Sequence, residues 1–94
     1  MITPLVEAND EYIKYIENIL SEFCSEMKIP IPDVIITNDM LNPAYVRDNI
    51  IHIKSYLPLH LLRIVLYHEL QHILNNMQES MYKEHTYDTT ILNQ

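Results

Sequence analysis

The sequence of 94 residues contains no glycine and no tryptophan, and it has only one cysteine. Without glycine, every turn that needs a positive φ must use another residue, and Asn and Asp tolerate that region best. We therefore expect positive φ values at Asn38–Asp39 and Asp48–Asn49. The single cysteine, Cys24, excludes an internal disulfide, and its place among apolar helix positions indicates a buried core residue.

Positive charge is also scarce, since six Lys and Arg residues against thirteen Asp and Glu give a formal net charge of -7. Phosphate binding needs clustered cations, so we expect no nucleic-acid partner. The longest apolar run, residues 57–67, is interrupted by His60 and Arg63 and is too short to span a bilayer. The first residues show no basic segment followed by an apolar run, so we expect a soluble, cytoplasmic protein without a membrane partner.

The chain length predicts one domain, residues 1–94, of the α+β class. Asn9 is a plausible helix cap, and apolar residues follow it at the three- and four-residue spacing of an amphipathic N-terminal helix. Three β-branched or alternating runs then predict a small, mostly antiparallel three-stranded sheet; they are residues 33–37, 44–46 and 49–54, the last two forming a hairpin.

Two helices are predicted after the sheet. The first begins at Pro58 and is apolar nearly all round, so we expect it to be the buried, central helix that carries the site. The second is a short C-terminal helix from about Glu79 to Leu92.

The strongest chemical signal is His68-Glu69-Leu70-Gln71-His72, an H-E-x-x-H pattern in the central helix. Residues four apart lie on one helix face, so both imidazoles can bind one metal ion, and zinc takes such ligands readily. A carboxylate at Glu69 can take a proton from a zinc-bound water and return it to the leaving amine. The alternative is a pair of surface or hydrogen-bonded histidines. If the helix is buried, however, burying His and Glu without a metal would cost free energy.

A catalytic zinc ion needs a third protein ligand and one open position. The downstream candidates are Glu79, Glu84, His85 and Asp88. Glu79 follows His72 by only seven residues, at the end of the same predicted helix, and cannot easily fold back, whereas Glu84 has room for a turn before it. Asp88 lies one helical turn past Glu84, where a second carboxylate can hold the ring N–H of His68.

The combination of H-E-x-x-H with E-x-x-x-D resembles the gluzincins, the metallopeptidases that include thermolysin. The chain also looks like the ImmA/IrrE type, and in size it is most similar to the minigluzincins and the related selecase. The resemblance implies that His68, His72 and Glu84 bind Zn²⁺, that Glu69 is the general base, and that Asp88 orients a ligand. It implies a zinc-dependent endopeptidase acting on peptides or unstructured proteins.

Two functions compete. The first is an endopeptidase that binds its substrate along the edge strand at Asn42–Val46, and that self-association or tail insertion can keep latent. The second is a metal-binding regulatory or oligomerising module with little or no proteolytic activity, because a small core gains stability from homo-oligomers and a short edge strand invites them. His52 and His60 are expected to be structural.

Overall fold

A computed structural model describes the backbone of residues 1–93 and the side chains of residues 1–79. The elements are listed in chain order: β1 (Ile2–Pro4), α1 (Asp10–Met27), β2 (Val34–Ile36), β3 (Ala44–Arg47), β4 (Ile50–Ile53) and α2 (Leu59–Asn93). The α+β class is as predicted. Within the described residues, no helix has an apolar stretch long enough to cross a membrane.

Helix α1 begins and ends with side-chain and backbone caps. The Asn9 side chain accepts a hydrogen bond of 2.8 Å from the Glu11 N–H, which confirms the predicted cap. The helix ends at Lys28, whose left-handed backbone (φ 57°, ψ 45°) directs its N–H to the Cys24 carbonyl. Glycine normally takes this position, so a lysine there gives no signal in the sequence.

Positive φ values occur at three places in the described backbone, namely Lys28, Asp48 and Asn49. The prediction for Asp48–Asn49 is therefore confirmed, and these residues form the two-residue turn of the β3–β4 hairpin. The prediction for Asn38–Asp39 is wrong. Asn38 instead accepts hydrogen bonds of 3.1 Å from the Ser55 N–H and hydroxyl, which ties the segment after β2 to the segment after β4.

The sheet differs from the predicted three mostly antiparallel strands. It has four strands in the order β1-β2-β4-β3, with β1 and β4 each parallel to β2, and β3 antiparallel to β4. The strand missed by the sequence pattern is β1, whose three residues are too few to show alternation. The parallel pairings were missed because α1 connects β1 to β2, while the chain passes through β3 before it returns to pair β4 with β2. No local pattern records which strands become neighbours.

Both helices pack on one face of this sheet. The strands direct alternate residues to that face, and the core takes Val34 and Ile36 from β2, Ala44 from β3, and Ile51 and Ile53 from β4. The residues between them, such as Ile35 and His52, lie on the other face and are partly exposed.

Helix α2 is amphipathic, which corrects the prediction of a helix buried nearly all round. Its buried stripe is Leu62, Leu66, Glu69, Leu70 and Ile73, at three- and four-residue spacing. His68 and His72 are exposed. The separate C-terminal helix is also wrong, because α2 continues as one helix to Asn93, and residues 59–93 contain no Pro or Gly to end it.

The Tyr12 hydroxyl connects α1 to the loop from which α2 begins. It donates to the Lys54 carbonyl and accepts from the Leu57 N–H at 3.4 Å, with the ring 6% exposed. Burial raises the pKa of this hydroxyl, and the Leu57 hydrogen bond opposes the shift, so it stays protonated and able to donate at neutral pH.

We predict that Tyr12→Phe lowers the free energy of unfolding by about 1–3 kcal/mol, because two backbone groups near the start of α2 lose their partner. Urea denaturation of the variant and of wild type measures the difference. Tyr56→Phe is the matched control, since Tyr56 lies in the same loop but is exposed. Equal losses for both variants would contradict this role for Tyr12.

Candidate metal and peptide site

The two histidines of the motif converge on one point. Their Nε2 atoms lie 3.0 Å apart, and the rings are nearly perpendicular, with an interplanar angle of 89°. Two nitrogen ligands of one tetrahedral zinc ion lie about 3.3 Å apart, given zinc–nitrogen distances of about 2.0–2.1 Å. The pair therefore fits zinc with little movement. The same distance also fits an N–H···N hydrogen bond between the rings in the absence of a metal ion.

Glu69 distinguishes the site from an ordinary pair of surface histidines. It is 7% exposed and is the only buried carboxylate among residues 1–79. It occupies the core-facing stripe of α2 between Leu66 and Ile73, where an apolar side chain would pack at lower cost. Although it is buried, Glu69 also lines the cleft between α2 and β3, which makes its carboxylate a candidate for chemistry there.

A cleft of about 410 Å³ separates α2 from β3 and receives all three motif side chains. It is lined by Asn42, Ala44, Tyr45, Val46, His68, Glu69, His72 and Asn76. A second cavity of about 320 Å³ adjoins it and is lined by Pro43, Ile64 and Val65 together with four residues of the first. His68 and Glu69 line both cavities and therefore lie at the middle of a continuous groove, with His72 in the first cavity.

The wall of the groove opposite α2 is a free strand edge. Strand β3 is the last strand of the sheet, and the Lys54 N–H donates to the Pro43 carbonyl at 3.1 Å. Hydrogen-bonded pairs alternate along an antiparallel ladder, so the N–H and C=O groups of Ala44 and Val46 point away from β4. They face the open edge, where an extended peptide can pair with them.

The structure brings together His68, Glu69 and His72, as the sequence predicts. The predicted third ligand, Glu84, and the predicted orienting residue, Asp88, have side chains outside the described residues. Within the part of the chain whose side chains are described, no group of three His, Cys, Asp or Glu residues converges on one point. The third ligand therefore stays a prediction.

Two other residues of the region have clear positions. His52 lies on the face of the sheet away from the core and stacks on Tyr45, with ring centroids 4.4 Å apart and planes at 4°. This packing is consistent with the structural role expected for His52. Asn76, which the H-E-x-x-H pattern does not include, also lines the cleft. Its spacing of four residues from His72 was the available signal.

Comparison of this chain with protein-family models, with curated proteins and with solved structures finds no match.

We predict that the purified protein binds about one zinc ion per chain, and that His68→Ala and His72→Ala each abolish stoichiometric binding, because each removes one converging nitrogen. Mass-spectrometric metal analysis after dialysis measures the content. Gln71→Ala is the matched control, since Gln71 is exposed on the same turn and hydrogen-bonds to Asn75 at 3.1 Å. Metal-free wild-type protein that takes up no zinc would refute the site.

Proposed function

We propose that this protein is a zinc-dependent endopeptidase of the gluzincin type that cleaves peptides or unstructured proteins. The observation that carries the proposal is the placement of Glu69. Glu69 is almost entirely buried, yet its side chain lines the same cleft as two histidines whose Nε2 atoms lie 3.0 Å apart. Hydrolysis of a peptide bond uses such a carboxylate, whereas an accidental pair of surface histidines has no need of it.

The roles follow from these positions. His68 and His72 hold the metal, and a bound zinc ion would supply Lewis acidity to the attacking water and to the peptide carbonyl. Glu69 takes a proton from the attacking water while the oxygen atom of that water bonds to the carbonyl carbon of the peptide. The same carboxyl then delivers that proton to the leaving nitrogen as the carbon–nitrogen bond breaks, which leaves a free amine and a carboxylic acid.

The open edge of β3 supports an extended substrate. A peptide in the groove hydrogen-bonds to the backbone of Ala44 and Val46 and passes beside His68 and Glu69. Backbone pairing recognises an extended chain without reading its side chains, and folded proteins do not present such a chain. This favours peptides and unstructured proteins as the substrate class.

Glu84 remains the proposed third ligand, with Asp88 holding a ring N–H. Residues twelve apart in a straight helix lie about 18 Å from each other along the axis. Glu84 therefore reaches the ion held by His68 and His72 of its own chain only if the chain turns back after the motif. Metal binding can drive such a turn, because the free energy of binding offsets the loss of the helical hydrogen bonds.

The competing function is a metal-binding, self-associating module with little or no proteolysis. It is favoured by the exposure of His68 and His72 and by the open edge of β3, which can pair with another copy as readily as with a peptide. The same contact would make an endopeptidase latent at high concentration. Activity that rises on dilution identifies latency, and activity that is absent at every dilution identifies the module.

We predict that Glu69→Gln abolishes cleavage of casein while leaving the zinc content at the wild-type level, because the amide cannot accept the proton. Digestion followed by electrophoresis, with metal analysis on the same samples, measures both. Glu79→Gln is the matched control, since Glu79 is an exposed carboxylate of α2 outside the cleft.

The unfolding free energy of the metal-free Glu69→Leu variant is a second test, which does not depend on activity. If the buried carboxylate serves chemistry, its replacement by a core residue leaves the unfolding free energy equal or higher. Marked destabilisation would show that Glu69 has a structural role instead. Cleavage that persists in Glu69→Gln would refute the proposed mechanism.

We predict that Glu84→Ala weakens zinc binding at least as strongly as His72→Ala, and that Asp88→Asn weakens it by about 10–100-fold, as loss of an orienting partner does. Competition with a chromophoric chelator measures both affinities. Retained zinc affinity in Glu84→Ala would point to another third ligand. The affinity of Glu84→Ala is compared with that of Glu79→Ala, which removes a different downstream carboxylate.

A further inference from the structure

Asn76 lies in the cleft but has no part in the chemistry described above. It follows His72 by one helical turn on α2, and its side chain lines the same cleft as Val46. The neighbouring Asn75 has a different environment, because it accepts a hydrogen bond from Gln71 along the helix. The two adjacent asparagines therefore differ in what they contact.

The two ends of the groove have different chemistry. Pro43, Ile64 and Val65 line one end with apolar side chains, while Val46 and Asn76 lie at the other. The motif residues His68 and Glu69 line both parts and mark the middle. A peptide bound along β3 thus passes Asn76 on one side of the reacting bond only.

We propose that Asn76 is a substrate-binding residue that hydrogen-bonds to the peptide backbone on the side of the cleft next to Val46. This inference rests on the proposed function, in that it takes an extended peptide as the ligand. A carboxamide offers both a donor and an acceptor, which matches a peptide group whatever the side chain of that residue.

The spacing sets which part of the peptide is contacted. Asn76 lies about 6 Å beyond His72 along the helix axis, and an extended peptide advances about 3.4 Å per residue. Asn76 therefore contacts a peptide group about two residues from the bond that is cleaved. Peptides that end before this point cannot make the contact.

Binding to zinc-loaded Glu69→Gln protein tests the proposal without requiring cleavage. The probe is fluorescein-labelled casein, followed by fluorescence anisotropy. Adding Asn76→Ala to this protein is expected to weaken casein binding about fivefold to tenfold, the effect of one lost hydrogen bond. Asn75→Ala is the matched control and is expected to leave the affinity unchanged. Equal affinity with and without Asn76→Ala, or no casein binding by any form, overturns the proposal.

Length dependence separates a direct contact from a structural effect. Peptides spanning the bond that wild type cleaves are shortened stepwise from each end, and the loss caused by Asn76→Ala is expected to vanish only when one particular end is trimmed. An equal loss for every peptide overturns the assignment. If wild type shows no Glu69-dependent cleavage, the proposed endopeptidase activity fails, while the casein affinities still decide whether Asn76 binds peptide.

Discussion

The rotation of α2 about its own axis determines what the cleft contains. The helix packs on the sheet through a stripe that includes Leu62, Leu66 and Ile73, and this packing fixes which side chains face β3. Adjacent helix residues differ by about 100° in direction, so a carboxylate at the border of the stripe is buried while its preceding neighbour stays in solvent. Glu69 and His68 are that pair. A small rotation of α2 would either bury an imidazole or expose the carboxylate.

The rest of the fold holds this arrangement through the shared core of α1, α2 and the sheet. The Tyr12 hydroxyl holds the loop that precedes α2, and the β3–β4 hairpin forms the opposite wall of the cleft at the edge of the sheet. Because β3 has a neighbour on one side only, half of its backbone groups stay available beside the motif. The edge strand is a liability in most small proteins, and here it is placed where a peptide can use it.

The sequence predicts the features that depend on local spacing, and it fails where distant segments meet. The motif, the Asn9 cap and the Asp48–Asn49 turn could be predicted because each is read within a few residues. The order and direction of the strands could not, because pairing depends on the path of the chain through α1 between β1 and β2 and through β3 between β2 and β4.

The burial of α2 could not be predicted from its sequence for a related reason. Apolar residues occur nearly all round this helix, and they do not show which face the sheet covers and which stays exposed. His68 and His72 are exposed, so burial does not favour a metal at these histidines, whereas Glu69 is buried and lines the same cleft.

The absence of glycine affects the unfolded chain as well as the turns. An average protein of this length would contain about six or seven glycines, each of which adds conformational freedom that folding must remove. Replacing a glycine by a residue compatible with the native backbone typically contributes about 0.4–1 kcal/mol through the unfolded state. A few left-handed positions, at Lys28, Asp48 and Asn49, carry a local cost in return. The unfolded chain thus has less conformational entropy to lose on folding. This offsets part of the limited stabilisation that a core of this size supplies, and the chain can keep Glu69 among its buried residues.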